Sequence, residues 1–416
     1  MKAAVIGGGA SGLVAAIVLA GHGCEVSVFE HMQRVGKKLL GTGSGKCNIS
    51  NTDMDISHYH SGNIGIVKAV LSDCPSDMTR RVFEKIGLQL TDRNGYLYPY
   101  SNQASAVVDV LRFAIRDLGI DVHTGTDIAG ISCHGDDTDN GRRFLVETGH
   151  DKYDYDKVII CCGSNVARNT GSDGSGYDIA RSFGHTVIPP LPALTYLTSK
   201  DEYYPSLAGI RTKAVISLYG SSDAGDDYEL AGHEGGELQF TRTGISGIAV
   251  FNLSYLAVQS LERGGKVRAC IDLLPDIEED CINDYIRSRI NAQPLRTCEE
   301  LFIGLLAKPL GICLCRRCGI DLKTKCRELT GNDISRLGGL AKNFATDIDG
   351  HGGYDQAQVA MGGVSLDEVT EHLESRLVPG LYFAGEILDV NGDCGGYNLQ
   401  WAASSAMCAA IHMAGE

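Results

Sequence analysis

The first thirty residues alternate between apolar runs and a glycine-rich turn. An apolar run, AAVI at 3–6, leads through GGGASG into LVAAIVLAG, which is long enough for a buried helix. The next run, EVSVFE at 25–30, alternates with the period of a strand. The pattern predicts a strand–turn–helix–strand opening, which is typical of parallel sheets covered by helices.

The pattern of the following 130 residues or so indicates a helix and then several strands. An amphipathic helix is predicted at 102–118, followed by a strand in DVHTG at 121–125. Residues 127–160 alternate like hairpin strands around a polar tip at 135–143, and they lead into the buried strand KVIICCG at 157–163.

A change of pattern after Pro189 predicts a second module. Residues 193–272 hold short β-rich stretches separated by turn glycines, and residues 276–341 become helical. Strand and turn signals resume after Gly362 with GLYFAGE, and a final helix is expected from about Leu399. We therefore predict an insertion with a β-rich part and a helical part.

Composition places the chain among soluble globular proteins of two or three domains. It has 416 residues, of which 43% are hydrophobic and 21% charged. No apolar run approaches the ~18 residues of a membrane span, and a first strand at Lys2 or Ala3 leaves no room for a signal peptide. Fifteen cysteines, an odd number scattered through apolar segments, indicate reduced thiols rather than a disulfide framework. We expect a cytoplasmic protein.

The net charge of −15 is unevenly distributed. Residues 343–416 hold eleven acids and one base, whereas residues 308–342 hold eight bases and three acids. An acidic protein with one basic stretch is a poor general nucleic-acid binder. A solvated helical face is the simpler interpretation of that stretch.

A turn with the spacing G-x-G-x-x-G follows the first strand. Gly7 is expected to make the tight turn, Gly9 to admit a pyrophosphate, and Gly12 to pack helix on strand. The helix start then offers N–H groups to phosphates. Glu30 ends the second strand, where an acid accepts from a ribose hydroxyl, which favours FAD or NAD over NADP.

A second glycine-rich loop, with several bases, follows Glu30. RVGKK at 34–38 leads into GTGSGKCN at 41–48. A nicotinamide-binding domain would continue with its next helix and strand, so the extra loop favours the larger cofactor, FAD. A plain surface loop is the alternative that the residue types leave open.

Several longer segments resemble one family. They are VIGGGASGL, KKLLGTGSGKCNISN, YPYSNQASAVVDVL, TGSDGSGYDIA, PALTYL, GELQFTRTGISG, MGGVSLDEV and LVPGLYFAGEILDVNGDCGGYNLQWAASSA. They run almost end to end. On these residues the chain resembles the BaiN/YhiN-like bacterial flavoproteins, which carry names such as aminoacetone oxidase family FAD-binding enzyme.

The resemblance implies an α/β fold with an inserted domain. A Rossmann-like FAD-binding domain of the glutathione-reductase type is expected from residues 1–189 and 360–416. The inserted domain then covers 190–359, with a β-barrel at about 190–274 and 343–359 and a helical part at about 275–342. This arrangement agrees with the changes of pattern along the chain.

The resemblance also implies one FAD held by both chain ends, with adenosine near the first glycine turn and the isoalloxazine near Gly396. A helix that starts beside Gly396 directs its positive dipole at the pyrimidine end, where negative charge accumulates on reduction. The residues expected to contact FAD are Gly7, Gly9, Ala10, Ser11, Gly12, Glu30, Lys37, Lys38, Gly45, Lys46, Cys47, Asn48, Gly163, Gly385, Glu386, Asp389, Gly396, Tyr397, Asn398 and Leu399.

Four positions depart from the family's usual residues. The family has Arg where Lys46 stands, His where Arg242 stands, Pro where Ile248 stands and Thr where Met361 stands. Lys46 keeps the charge but loses the two-pronged guanidinium. Arg242 cannot act as an acid or base near neutral pH, although it can bind an anionic substrate.

The candidates for catalysis are Arg242, Tyr397 and Cys47. Cys47 and Cys394 both lie in loops on the expected flavin side, so a redox-active disulfide between them is a further hypothesis. The other cysteine pattern is Cys313-x-Cys315-x-x-Cys318, followed by Cys326. It has no second C-x-x-C and sits in an apolar helical context, so we predict buried or surface thiols and no metal.

The expected activity is that of an FAD-dependent oxidoreductase which reduces an unsaturated small molecule with NAD(P)H. Only one G-x-G-x-x-G unit stands between a strand and a helix, so NAD(P)H is expected as a transient co-substrate. Members of the resembling family have been linked to bile-acid reduction and to amine oxidation. In an alternative reaction, the organic substrate itself reduces the flavin and oxygen reoxidises it. Two other classes stay open: an enzyme that modifies RNA uridines, using the bases at 316–327 to hold phosphates, and a flavin-bound redox sensor.

Overall fold

The computed structural model describes residues 1–134, 144–221, 225 and 227–415. The predicted hairpin tip at 135–143 therefore lies outside the described residues. The chain divides into two compact units. Unit one comprises Met1–Pro192 and Tyr354–Glu416, and unit two comprises Ala193–Gly353.

The strands of the described chain are short, apart from two long neighbours in unit two. They are β1 (Lys2–Ile6), β2 (Glu25–Glu30), β3 (Ser50–Asn51), β4 (Tyr59–His60), β5 (Leu90–Arg93), β6 (Tyr96–Pro99), β7 (Asp121–Thr124), β8 (Ile128–Cys133), β9 (Phe144–Thr148), β10 (Lys152–Tyr155), β11 (Lys157–Ile160), β12 (Val187–Ala193), β13 (Leu197–Thr198), β14 (Arg211–Gly220), β15 (Glu229–Phe240), β16 (Gly244–Ser246), β17 (Val267–Asp272), β18 (Phe344–Ile348), β19 (Gly350–His351), β20 (Val359–Val364), β21 (Leu381–Phe383) and β22 (Asn391–Gly392).

The α-helices range from single turns to an 18-residue helix at the end of the chain. They are α1 (Ala10–Gly21), α2 (Ile64–Asp73), α3 (Ser76–Lys85), α4 (Ala104–Asp117), α5 (Ser175–Ser182), α6 (Tyr204–Leu207), α7 (Ile248–Glu262), α8 (Ile282–Ala292), α9 (Lys308–Arg317), α10 (Gly331–Lys342), α11 (Gly353–Gln356) and α12 (Tyr397–Ala414). Across the described ranges, none of these helices combines the length and apolar character needed to cross a bilayer.

Unit one is built on a five-stranded parallel sheet in the order β21-β11-β1-β2-β7. The chain runs from β1 to one side of the sheet through β2 and β7, and later to the other side through β11 and β21. The carboxyl end of β1 is therefore a topological switch point, where ligands of open α/β sheets bind. This architecture confirms the predicted α/β, Rossmann-like fold class.

The helices α1 and α12 pack on each other in the core of unit one. Most side chains of α1 are buried, among them Leu13, Val14 and Leu19. The last helix is buried along nearly its whole length, including its polar residues Ser404 and Ser405. A helix that is apolar around its circumference belongs in a core, so the first and last helices of the chain stabilise the same unit.

Unit two is built on a seven-stranded sheet in the order β18-β17-β14-β15-β16-β13-β19. Neighbouring strands of this sheet are antiparallel, and the long strands β14 and β15 pair at its centre. Phe240, Phe302 and Phe344 are fully buried in its core. This sheet and the helices α8, α9 and α10 supply the β-rich and helical parts of the unit.

Two segments of unit two differ from their sequence interpretation. The stretch CEELFIGLLA at 298–307, expected to be helical, forms only a 3-10 turn at Cys298–Glu300, and Gly304 then takes a left-handed φ of 86°. In contrast, α7 lies in the region at 193–272 that was interpreted as a β-rich module, with no helix predicted there. Its residues Ala249, Leu253 and Ala257 are buried, so packing fixes a helix that local composition did not indicate.

Candidate functional site

Three glycine-containing turns follow adjacent parallel strands of unit one. The strands β1, β11 and β21 lie side by side and are followed by Gly7, Gly163 and Gly385 respectively. All three glycines have positive φ, at 104°, 71° and 82°. The turns therefore meet at the carboxyl edge of the sheet, beside the switch point.

The first glycine turn is closely packed at two positions and open at the third. A Cβ on Gly7 would stand 2.5 Å from the carbonyl oxygen of Cys161, and a Cβ on Gly12 would stand 1.9 Å from that of Gly7. At Gly9 a Cβ would meet nothing within 4 Å. Gly7 and Gly12 are thus required by the protein's own packing, whereas Gly9 leaves open space in front of the backbone.

The amino end of α1 faces that open space without a side-chain cap. Gly9 is the N-cap, and no side chain of the described residues bonds the first turn. The amides of Ala10, Ser11 and Gly12 have no intrahelical acceptor, as at every helix start. A site of this kind binds phosphate through amides and the helix dipole.

The Glu30 carboxylate lies at the end of β2 beside this turn. Its Oε2 accepts from the amide of Gly8 at 2.8 Å, and its Oε1 accepts from the amide of Met32 at 2.8 Å. A carboxylate has about four acceptor positions. The two amides therefore fix its orientation and leave capacity for a further donor such as a ribose hydroxyl.

The third turn brings together residues far apart in the chain. Glu386 Oε2 accepts from Lys38 Nζ at 2.7 Å, and Glu386 Oε1 accepts from the amide of Ala360 at 3.0 Å. A Cβ on Gly385 would stand 2.4 Å from Ser11 Oγ. Among the predicted contact residues, Ser11, Lys38, Gly385 and Glu386 are thus brought to one place.

A fourth glycine turn, separate from the three at the sheet edge, precedes α12. Gly396 is its N-cap, with φ 99° and no side-chain cap from the described part of the chain. A Cβ on Gly396 would stand 2.6 Å from the carbonyl oxygen of Ser50 and 3.0 Å from Asn48 Oδ1. Asn48 Oδ1 is buried and has no hydrogen-bond partner among the described residues. A buried acceptor without a donor indicates a place for a bound N–H or O–H group.

A small apolar pocket joins the starts of the two helices. It is lined by residues that include Ala10, Leu39, Cys47 and Leu399. Ala10 opens α1 and Leu399 lies in the first turn of α12, so the pocket places the predicted contact residues of both chain ends together.

The Cys47 thiol lines this pocket and is fully buried. Burial raises its pKa to about 11, and a hydrogen bond with Thr42 only partly offsets the effect. The thiol is therefore protonated near neutral pH and is a poor nucleophile. Cys47 and Cys394 are not joined by a disulfide in the structure, and their redox pairing stays a hypothesis.

A cluster that the sequence interpretation missed lies against the start of α12. The ring of His58 stacks on Tyr397 with a centroid distance of 4.3 Å. His58 Nδ1 lies 3.0 Å from one carboxylate oxygen of Asp393, and His60 Nε2 lies 3.0 Å from the other. Asn398 holds the same turn by donating to the carbonyl oxygen of Gly392 at 2.7 Å. The only sequence signal was a pair of histidines in HYH, more than 330 residues from Asp393.

Replacing His58 with glutamine is expected to remove a pH-dependent part of the stability of unit one. Burial alone would lower the pKa of His58, but its bonds to Asp393 and Asp53 outweigh burial and raise it above 6.5. Such a group stabilises the fold fully below its unfolded pKa, and the contribution is lost as the pH rises through the folded pKa. The difference in melting temperature between wild type and His58→Gln should be larger at about pH 6 than at about pH 8.5.

The exposed His150 offers a matched control, because His150→Gln changes the same side chain away from these carboxylates. Equal melting differences at both pH values in His58→Gln would contradict the prediction.

Other predicted residues occupy separate places. Asp389 is 8% exposed and accepts from the amide of Gly62 at 3.0 Å, and burial raises its pKa. Lys37 donates to the carbonyl oxygen of Asn169 at 2.5 Å. Gly45 and Lys46 are exposed on the loop before Cys47. Arg242 lies in unit two, exposed in the turn between β15 and β16.

The four cysteines singled out at 313–326 are all buried in unit two. Among the described residues, these cysteines do not form a group with three ligand atoms within 4.8 Å of one another. A group with that spacing does occur, but it lies in unit one. Cys315 and Cys326 instead donate to the carbonyl oxygens of Cys298 and Thr297, each at 3.4 Å.

Comparison with known proteins gives relatives of nearly full length. A 3-dehydro-bile acid delta(4,6)-reductase of Clostridium scindens is 37% identical over 402 residues, covering 96% of this chain and 95% of the relative. A ribosomal RNA dihydrouridine synthase of Haemophilus influenzae is 30% identical, covering 98% of this chain and 97% of the relative. Among solved structures, a 3-ketosteroid delta1-dehydrogenase of Sterolibacterium denitrificans matches with a TM-score of 0.51 and 13% identity over 99% of both chains, which shows a shared fold.

A family model also matches nearly the whole chain. The family described as HI0933-like protein Rossmann domain matches residues 1–412. This match and the two curated relatives confirm the resemblance stated from the sequence motifs. The chain therefore belongs to the HI0933-like family.

Proposed function

We propose that this protein is an FAD-dependent oxidoreductase that reduces an unsaturated small molecule with NAD(P)H. The observation that carries the proposal is the open space at Gly9 in front of an uncapped helix start, set at the switch point of a parallel sheet. A relative 37% identical over nearly the full length is a named reductase, which supports the reaction class.

The described residues fit a dinucleotide at both ends. The amides of the first turn of α1 suit a pyrophosphate, and the oriented Glu30 carboxylate suits ribose hydroxyls. The unpartnered Asn48 Oδ1 suits an N–H of a flavin ring, and the first-turn amides of α12 lie beside it. When bound, the flavin supplies hydride transfer; the protein holds, orients and polarises it.

The positive end of α12 is the main electrostatic contribution that we assign to the chain. No acid stands in the first turn of α12, so its dipole is not neutralised there. It favours negative charge in front of Gly396 by about 0.3–1 kcal/mol when exposed and up to about 2 kcal/mol when partly buried. Such a field would stabilise the charge of a reduced ring bound in front of Gly396, as we propose.

NAD(P)H is proposed as a transient co-substrate. The sequence contains one strand–G-x-G-x-x-G–helix unit, and the glycine-rich run at 231–238 instead lies within β15. Thus no second motif of this kind holds a nicotinamide dinucleotide permanently.

An anaerobic titration tests the function directly. Purified protein should show a flavin absorbance band. Addition of NADH or NADPH should bleach this band within seconds of mixing. Reoxidation by a conjugated enone, but not by its saturated analogue, would support reduction of an unsaturated substrate. Failure of both nucleotides to bleach the band would overturn the reductase proposal, and slow turnover with every donor and acceptor pair would favour a redox sensor.

A second candidate is flavin-dependent modification of uridines in RNA. It is favoured by the relative named as a ribosomal RNA dihydrouridine synthase, which is 30% identical over 98% of this chain. Arg316, Lys323 and Arg327 are exposed on unit two, at the end of α9 and in the segment after it. They are the residues we would assign to phosphate contacts.

Salt-dependent retention of ribosomal RNA tests the RNA candidate. Replacing Arg316, Lys323 and Arg327 together with glutamine should reduce the salt slope by about three if each contacts a phosphate. No retention at low salt would exclude this candidate and leave the small-molecule proposal in place.

A further inference from the structure

A thiol, an imidazole and a carboxylate meet in unit one, and none of the three belongs to the residues discussed for the cofactor. Asp73, His372 and Cys408 each offer one ligand atom, and these atoms all lie within 4.8 Å of one another. Asp73 ends α2, His372 lies in the turn before β21, and Cys408 lies in α12. Three different donor types thus converge from three separate elements.

The end of α2 is fixed against α12 next to this group. Ser404, one turn before Cys408, donates to the carbonyl oxygen of Cys74 at 2.5 Å. Cys74 is the C-cap of α2 and its thiol contacts that of Cys408. Asp73 is therefore held near Cys408 by a buried hydrogen bond, and a second thiol stands beside the first.

The imidazole is oriented from the other side. The ring of His372 stacks on that of His412 with a centroid distance of 4.3 Å and an interplanar angle of 19°. Cys408 Sγ lies 3.7 Å from the carbonyl oxygen of Glu371. The negative charges of the Asp73 and Glu371 carboxylates both lie close enough to raise the pKa of Cys408. The electrostatic environment of the thiol is therefore negative, which favours a bound cation.

The donor set and spacing suit a zinc-class divalent cation. Thiolate, imidazole and carboxylate are zinc ligands at about 2.0–2.3 Å, and three protein ligands leave a fourth position. Three atoms spaced 4.8 Å apart lie about 2.8 Å from their centre, so small side-chain rotations bring them to zinc distance. A thiol and an imidazole disfavour magnesium and calcium, which prefer oxygen ligands.

We propose that Asp73, His372 and Cys408 bind one zinc-class divalent cation, with the Cys74 thiol or water in the fourth position. Cys408 lies eleven residues after Tyr397 on the same helix. That is about 16 Å at 1.5 Å per residue. The proposed cation therefore binds well away from the amino end of α12, in a structural role that ties α2 and the 370–373 turn to the last helix.

Zinc and cobalt titrations of the full-length protein test this site. After treatment with a chelator and a thiol-free reductant, the protein should bind one equivalent of Zn²⁺ in competition with a chromophoric chelator. Co²⁺ should give the visible bands of a tetrahedral thiolate site. His372→Gln and Cys408→Ser should each weaken zinc binding by about 100-fold or more, and zinc should protect Cys408 from alkylation in the wild type.

The matched control is Cys281→Ser, which removes an exposed thiol of unit two and should leave binding unchanged. Circular dichroism checks that each variant is folded; the partly exposed His372 provides a test if Cys408→Ser fails to fold. Absence of a one-equivalent site, or equal zinc affinity in the wild type and in folded His372→Gln, would overturn the proposal. So would a Cys74–Cys408 disulfide that forms in air at the same rate with and without zinc.

Discussion

Gly9→Val is expected to give a folded protein that purifies without FAD. A Cβ at Gly9 meets no protein atom within 4 Å, and the residue has φ −83° and ψ −164°, which valine adopts readily. The added isopropyl group would fill the space that we assign to the pyrophosphate and would keep it from the amides of α1. We expect FAD affinity to fall at least about 100-fold, or about 2.7 kcal/mol, with little change in melting temperature of the apoprotein.

Two variants of the same helix make this result specific. Gly21→Ala alters the opposite end of α1, where a Cβ also meets nothing within 4 Å, and should retain FAD. Gly12→Ala places a Cβ 1.9 Å from the carbonyl oxygen of Gly7, so it should lose stability as well as FAD. A Gly9→Val protein that retains the full flavin spectrum would show that the pyrophosphate lies elsewhere.

Gln400→Leu is expected to destabilise unit one by about 3 kcal/mol, since three buried hydroxyls each lose a hydrogen-bond partner. Gln400 is fully buried. Its Oε1 accepts from Ser50 Oγ at 2.6 Å, and its Nε2 donates to Thr79 Oγ1 at 2.8 Å and to Ser404 Oγ at 2.7 Å. The leucine cannot replace any of these bonds. Melting temperature should fall by roughly 6–12 °C, as measured by circular dichroism.

The exposed Gln358 provides the control, because Gln358→Leu makes the same change on the surface of the same unit. Its effect should stay within about 0.5 kcal/mol. If Gln400→Leu melts at the wild-type temperature, the prediction is wrong. The hydrogen bonds of Gln400 then contribute no net stability, and packing of the leucine side chain compensates for their loss.

The residues of the first turn were predictable because their spacing is local. Gly7, Gly9, Gly12 and Glu30 lie within one strand–helix–strand unit, and each glycine has a role set by neighbours a few residues away. The structure shows the close packing at Gly7 and Gly12 that this spacing predicted. The assignment of all these residues to FAD stays a prediction.

The His58 cluster and the Gln400 network were not predictable for the opposite reason. Their partners are separated by more than 320 residues, as in Gln400 with Thr79 and His58 with Asp393. Neither pair leaves a periodic pattern in the sequence. Similarly, α7 was missed because its buried positions depend on the sheet of unit two rather than on local helix signals.

The strand order of unit one has a consequence for synthesis on the ribosome. The sheet places β11 between β1 and β21, and α1 packs on α12. The first helix is complete by Gly21, but α12, on which it packs, begins only at Tyr397. At about 5–20 residues per second, the apolar α1 waits roughly 20–75 s for this partner. The nascent chain therefore leaves this apolar face of α1 uncovered until α12 has been made, and a ribosome stalled before residue 397 is expected to hold an aggregation-prone chain.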